Sequence, residues 1–136
     1  MIALVLVSHG EMCTYLLRSA ELIVGPQENV ATIDLLCEDS PESFRDRMLK
    51  AVDALDTSEG VLVLVDLCGG TPCNVTGALL QEKTDLYAVT GANLPMMLEV
   101  CMNRDSGLSL AELGEIAATA GKDGVIDLVK MMACGI

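Results

Sequence analysis

GVLVLVDLCGGTPCN, residues 60–74, decides how this chain folds. It begins as a short apolar run, rich in valine and without polar alternation. That is the pattern of a strand covered on both faces. The run stops at Asp66, two glycines follow, and a helical pattern opens that is carried by Val75, Ala78 and Leu79. Thr71 is placed to cap that helix and Pro72 to occupy its first position. Strand, glycine turn and helix start in immediate succession make a βα unit.

The same order recurs along the chain. IALVLVS (2–8), VATIDLLC (30–37) and DLYAVTG (85–91) are further apolar runs of strand length. Helical patterns separate them. Leu16, Ala20 and Ile23 recur at helical spacing until Gly25-Pro26. Phe44, Met48, Val52 and Leu55 do so after Ser40, a cap, and Pro41 in the first turn. Met97, Val100 and Cys101 mark another helix. SLAE (109–112) is a capping-box pattern opening the next, with Leu113, Ile116, Ala117 and Ala120 inside it. The tail GVIDLVK (124–130) reads equally as a helical turn or an added strand. Strands alternating with helices predict an α/β domain, an open parallel sheet with helices on both faces. Residues 1–136 read as a single domain.

Composition narrows the function. The formal charge is −12 and aromatic residues make up 2% of the chain. Phosphate backbones would be repelled and few rings could stack on bases, so nucleic acid and anionic membranes are poor partners. A basic protein partner is favoured by the field. The 6 cysteines form no CxxC pair, and the 1 histidine cannot complete a zinc finger. They read as reduced thiols packed as small hydrophobes, which fits a cytoplasmic protein. No basic stretch precedes the first apolar run, and that run is too short to span a membrane. No metal or cofactor is expected.

The single histidine, His9, falls where the first apolar run ends, and Asp66 falls where the third ends. Ligands of open α/β sheets bind beyond the carboxyl ends of the strands, where the strand order reverses. With the order 2-1-3-4, strands 1 and 3 are neighbours and His9 faces Asp66 across that crevice. A carboxylate that accepts one imidazole N–H fixes the tautomer and turns the other nitrogen outward as a nucleophile. Gly69 and Gly70 let backbone approach a ligand, and the helix that follows offers free N–H groups and a positive end, an anion site. Gly10, beside His9, joins Gly69, Gly70 and Thr71 as the expected phosphoryl-binding set. The combination describes a histidine that carries a phosphoryl group. Each piece alone has a plainer reading as a structural histidine, a turn aspartate or a helix start.

The motifs together carry a resemblance. SHG (8–10), GPQENV (25–30), GVLVLVD (60–66), GGTPCN (69–74), GANLPM (91–96) and AGKDGV (120–125) resemble, in order and spacing, the IIA components of the mannose/fructose/sorbose family of the bacterial sugar phosphotransferase system. The resemblance implies that His9 takes phosphate from the phosphocarrier protein HPr and passes it to a IIB component. The sugar itself is phosphorylated as it enters through the IIC and IID membrane subunits. It implies Asp66 as the carboxylate partner of His9 and Thr71 as the hydroxyl beside the phosphoryl group. It also implies the 2-1-3-4 sheet and a homodimer exchanging a C-terminal edge strand, here GVIDLV (124–129). A free-standing IIA, with no fused IIB domain, is the expectation. Cys68 and Glu11-Met12 depart from better-known members at the rim of the site. Glu11, Met12 and NLPMM (93–97) are candidate docking residues around His9; NLPMM reads equally as a capped helix with core methionines.

Three other readings compete. SHGE resembles the RHGE of the histidine phosphatases, but Ser8 replaces their arginine and a second histidine is missing. The phosphotransferase subunit of dihydroxyacetone kinase shares the fold, but GGTPCN departs from the Gly-Ser pattern of those proteins. A regulatory phosphohistidine module that signals instead of relaying phosphate has no sequence feature against it.

Overall fold

Residues 1–135 are described by the computed structural model. Ala3–His9 forms β1, the spine of the sheet, and its side chains are buried on both faces up to Ser8. Val30–Leu35 (β2) and Val61–Val65 (β3) flank it in parallel, and Leu86–Thr90 (β4) lies parallel outside β3. The order is β2-β1-β3-β4, as expected. The strand order therefore reverses between β1 and β3. In register, Val7 stands opposite Val65, which brings the carboxyl ends of the two strands together.

Six helices complete the described chain: α1 (Met12–Val24), α2 (Pro41–Asp53), α3 (Gly70–Glu82), α4 (Leu94–Asn103), α5 (Leu110–Asp123) and α6 (Leu128–Ala133). Alternate residues of the strands serve opposite layers. Leu4, Leu6, Leu62 and Leu64 pack with Cys13 and Ala20 of α1, Met97 and Val100 of α4, and Leu113 and Ala117 of α5. Val5, Val7, Val63 and Val65 pack with Phe44 and Met48 of α2 and Val75 and Leu79 of α3. Each fully buried Val, Leu, Phe or Met among them contributes about 1.5–3 kcal/mol. With few aromatic residues, the core rests on branched aliphatics and methionine. Gly114 admits the one ring of the first layer, because a Cβ there would lie 2.1 Å from Tyr87.

Caps form where the sequence places them. Ser40 and Ser43 make a reciprocal capping box at α2, and Ser109 and Glu112 make one at α5. The start of α3 differs from expectation. The helix begins at Gly70 with Gly69 at the cap, so Thr71 lies inside the first turn instead of capping it, and Pro72 is the third residue. The glycines are the cause. Gly69 and Gly70 have φ of 97° and 78°, a left-handed approach that only glycine adopts without strain, and it winds the helix earlier.

The C-terminal segment also differs. Residues 124–129, which the resemblance assigns to an edge strand, do not pair with β4 within the chain. Val125–Asp127 is irregular, and Asp127 then caps α6 by accepting the Lys130 N–H at 3.0 Å. No helix of the described residues is long and apolar enough to cross a membrane.

Candidate functional site

His9 is the last residue of β1, and its side chain is 46% exposed at the carboxyl edge of the sheet. Asp66 follows β3 directly, with its side chain 10% exposed. The order reversal makes them neighbours. Nδ1 of His9 lies 2.8 Å from Oδ2 of Asp66, and the His9 backbone N–H donates to that same oxygen at 2.9 Å. One carboxylate oxygen thus fixes both the backbone and the ring. With the proton on Nδ1, the ring donates to Asp66 and Nε2 keeps its lone pair. The other oxygen, Oδ1, is buried and has no hydrogen-bond partner among the described residues.

The outward edge of the ring lies against the start of α3. A Cβ on Gly70 would fall 2.8 Å from both Nε2 and Cε1 of His9. Gly70 therefore makes the close approach that glycine permits, and it adjoins the atom able to act as nucleophile. The first N–H groups of a helix have no acceptor within it. At α3 those donors come from Gly69, Gly70 and Thr71, since Pro72 has none. They stand at the positive end of a 13-residue helix. An anion beside Nε2 would meet them.

The residues expected at the site thus gather at one place. His9 and Asp66 pair, Gly70 touches the ring, and Gly69 and Thr71 flank Gly70. Gly10 plays a different part: its φ of 58° turns the chain from β1 towards α1, and its N–H donates to the Leu35 carbonyl at 2.8 Å. Among the described residues no group of three or more His, Cys, Asp or Glu side chains is arranged to hold a metal ion.

The rim mixes charge with apolar surface: Glu11, expected there, is exposed. Met12 is exposed at the start of α1, and Leu36 and Leu67 are exposed on the connections that leave β2 and β3. The last two escape sequence reading because they continue apolar runs and look like strand residues. NLPMM takes its plainer role: Asn93 caps α4 by accepting the Met96 N–H at 3.0 Å, and Met96 and Met97 are buried. A groove of about 820 Å³ opens between α4 and α5, lined by Leu98, Met102, Leu108 and Ile116 among others, and shares no residue with the His9 site. The site itself is an exposed ring on an open surface, the form suited to transfer between two proteins.

The thiols divide by environment. Cys37, Cys68 and Cys134 are exposed, and Cys13 is buried. Burial pushes the Cys13 thiol up to about 12, and its Sγ lies 3.0 Å from Oδ1 of Asp34.

Residues 3–120 match the family model described as PTS system fructose IIA component. The chain is 37% identical over 124 residues to the PTS system mannose-specific EIIAB component of Escherichia coli K12, a match covering 91% of this chain and 38% of that protein. It thus spans well under half the length of that relative. It is 30% identical over 110 residues to the PTS system sorbose-specific EIIA component of Lacticaseibacillus casei, covering 81% of this chain and 78% of that one. Among solved structures, the phosphotransferase system component EIIA of Streptococcus agalactiae superposes with a TM-score of 0.87 at 33% identity, covering 96% of this chain and 99% of that one. With a family model matched over most of its length, this chain belongs to the IIA components of the mannose/fructose/sorbose phosphotransferase family.

Proposed function

We propose that this chain is the phosphohistidine carrier of a sugar phosphotransferase system. His9 accepts phosphate from phospho-HPr, a cytoplasmic partner, and passes it to a IIB component that serves the IIC and IID membrane subunits. The observation that carries this reading is the His9–Asp66 pair, with Nε2 directed at the start of α3.

The chemistry follows from that geometry. The Nε2 lone pair attacks phosphorus, the new N–P bond forms, and the N–P bond to the donor imidazole breaks. The donor ring leaves with the bonding pair. The proton on Nδ1 stays in its hydrogen bond to Asp66, which offsets the positive charge developing on the substituted ring. The N–H groups of Gly69, Gly70 and Thr71 face the phosphoryl oxygens, and the Thr71 hydroxyl is a further donor. Such preset dipoles stabilise transferring charge without reorganisation. Transfer to IIB is the same reaction run from the other side.

The test uses the intact chain with phosphoenolpyruvate, enzyme I and HPr. One phosphoryl group per chain, labile in acid and stable in base, supports the reading. So does loss of the label to a mannose-family IIB. A His9→Gln chain that is still fully labelled overturns it. Val125, Ile126, Leu128 and Val129, apolar and exposed in the C-terminal segment, support a homodimer with an exchanged edge strand.

A further inference from the structure

Ser8 is buried to 1% exposure immediately before His9. Its hydroxyl makes two hydrogen bonds that straddle the histidine. It donates to the Gly10 carbonyl at 3.1 Å and accepts the Cys13 N–H at 2.8 Å. The second of these satisfies a donor in the first turn of α1, whose own cap position is held by Glu11 without a side-chain bond. Gly10 is held on its other side too, by its own N–H, which donates to the Leu35 carbonyl. His9 is therefore bracketed: its N–H by Asp66, the following residue by Leu35 and Ser8.

A second anchor sits beside the first. Asp34 of β2 is the neighbour of Ser8 in register. Its carboxylate accepts from the Cys13 thiol at 3.0 Å and from the Thr14 hydroxyl at 2.9 Å. The first turn of α1 is thus tied to β1 through Ser8 and to β2 through Asp34. The short link carrying His9 and Gly10 spans two fixed points. A ring on such a link has little freedom except about its own side-chain torsions, and Asp66 with Gly70 restrict those.

We infer that Ser8 is a positioning residue of the phosphoryl carrier: its hydroxyl holds the His9 link so that Nδ1 stays on Asp66 and Nε2 stays at the start of α3. The inference rests on the carrier function proposed above. Ser8 touches neither donor nor phosphoryl group and acts through the placement of His9. Displacement of a reacting atom by about 1 Å costs on the order of 100-fold in rate.

The test compares Ser8→Thr with Ser8→Val. The two side chains have nearly the same shape, so any packing cost is common to both and only the hydroxyl differs. Two readouts are taken: steady-state phosphorylation by phospho-HPr, and the nitrogen chemical shifts of the His9 imidazole. The second needs no phosphodonor, so a wild-type chain that fails to accept phosphate overturns the carrier function without touching the shift measurement. The expected result is a fall in kcat of about 10- to 100-fold for Ser8→Val with little change in KM. The ring should shift from a single Nδ1–H tautomer towards a mixture, and Ser8→Thr should restore both. Equal rates and equal shifts in the two variants overturn the inference. So does a Ser8→Val chain that loses its fold while Ser8→Thr keeps it, since the hydroxyl would then be a structural cap only.

Discussion

A single oxygen of Asp66 receives two hydrogen bonds from His9, one from the backbone N–H at 2.9 Å and one from Nδ1 at 2.8 Å. The carboxylate is mostly buried while the imidazole is about half exposed. The carboxylate that orients the ring is therefore shielded from water, while the ring itself reaches the surface.

Asp66→Asn separates orientation from charge. The amide keeps an acceptor for Nδ1–H and removes the negative charge facing the substituted ring. Labelling by phospho-HPr should fall about 10- to 100-fold without being abolished. Asp66→Ala should fall further, because it also frees the His9 N–H and the ring. Rapid-quench measurement of the phosphorylation rate distinguishes the three chains, and equal rates would remove Asp66 from the reaction.

Gly70→Ala should be far more damaging than Gly69→Ala. Both residues have positive φ, so each substitution carries a similar backbone cost of about 1–2 kcal/mol. Only at Gly70 does the new methyl meet the ring, 2.8 Å from Nε2, whereas a Cβ on Gly69 meets nothing within 4 Å. Acceptor activity should be nearly lost in Gly70→Ala and retained at reduced stability in Gly69→Ala. Thermal melting and phosphate labelling of both variants check this.

Much of this arrangement is legible in the sequence because the relevant signals are local. β1 and β3 read as buried strands since their apolar runs are unbroken, and His9 and Asp66 mark where those runs stop. The crevice between them needed the strand order, which no local pattern encodes. Other features depend on long-range contacts. Ser8 looks like a strand-end serine until α1 returns to it. Leu36 and Leu67 look like the last strand residues until the chain turns and exposes them. Arg104 is buried at the other end of the sheet, donating to the backbone carbonyls of Ile2 and Asn29, and nothing adjacent in sequence announces it. Thr71 lies two positions inside the cap it is expected to hold, because Gly69 and Gly70 start α3 early.

The rim should govern encounter and leave the chemistry alone. Leu67 is 56% exposed next to Asp66 and makes no bond that fixes the ring. Leu67→Ser should raise the KM for phospho-HPr by about 10- to 100-fold, since burying a leucine at an interface contributes about 1.5–3 kcal/mol and each 1.4 kcal/mol is tenfold. The kcat should stay within about twofold. A change in kcat with constant KM would place Leu67 in the site itself.

Cysteine reactivity should follow burial. Cys37, Cys68 and Cys134 are exposed and should alkylate first near pH 8, whereas Cys13 should remain protected in the native chain. Because the folded Cys13 pKa is raised from 9.0 to about 12, its contribution to stability is complete below pH 9. Above that pH the unfolded chain loses the proton first, so stability falls until the folded thiol also ionises near pH 12. The decline between those values should be shallower in Cys13→Ala than in the wild type. Denaturant unfolding at stepped pH, read as the difference between the two chains, isolates the contribution of this group.

The C-terminal segment should hold two copies together. Val125 and Val129 are each 79% exposed, with Ile126, Leu128 and Met132 exposed beside them. β4 is an outer strand of the sheet, with one side unpaired by any described strand, and an open edge is a template for another chain. Exchange of this segment between copies would cover both features at once and close a symmetric dimer. Val125→Asp combined with Val129→Asp places two carboxylates in that interface, on a chain already carrying a charge of −12. The dimer dissociation constant should rise by at least about 100-fold, each 1.4 kcal/mol of lost burial being tenfold. Sedimentation equilibrium should find the wild type dimeric at micromolar concentration and the variant monomeric. A wild-type chain that sediments as a monomer, with α6 still helical, would mean that the segment serves its own chain alone.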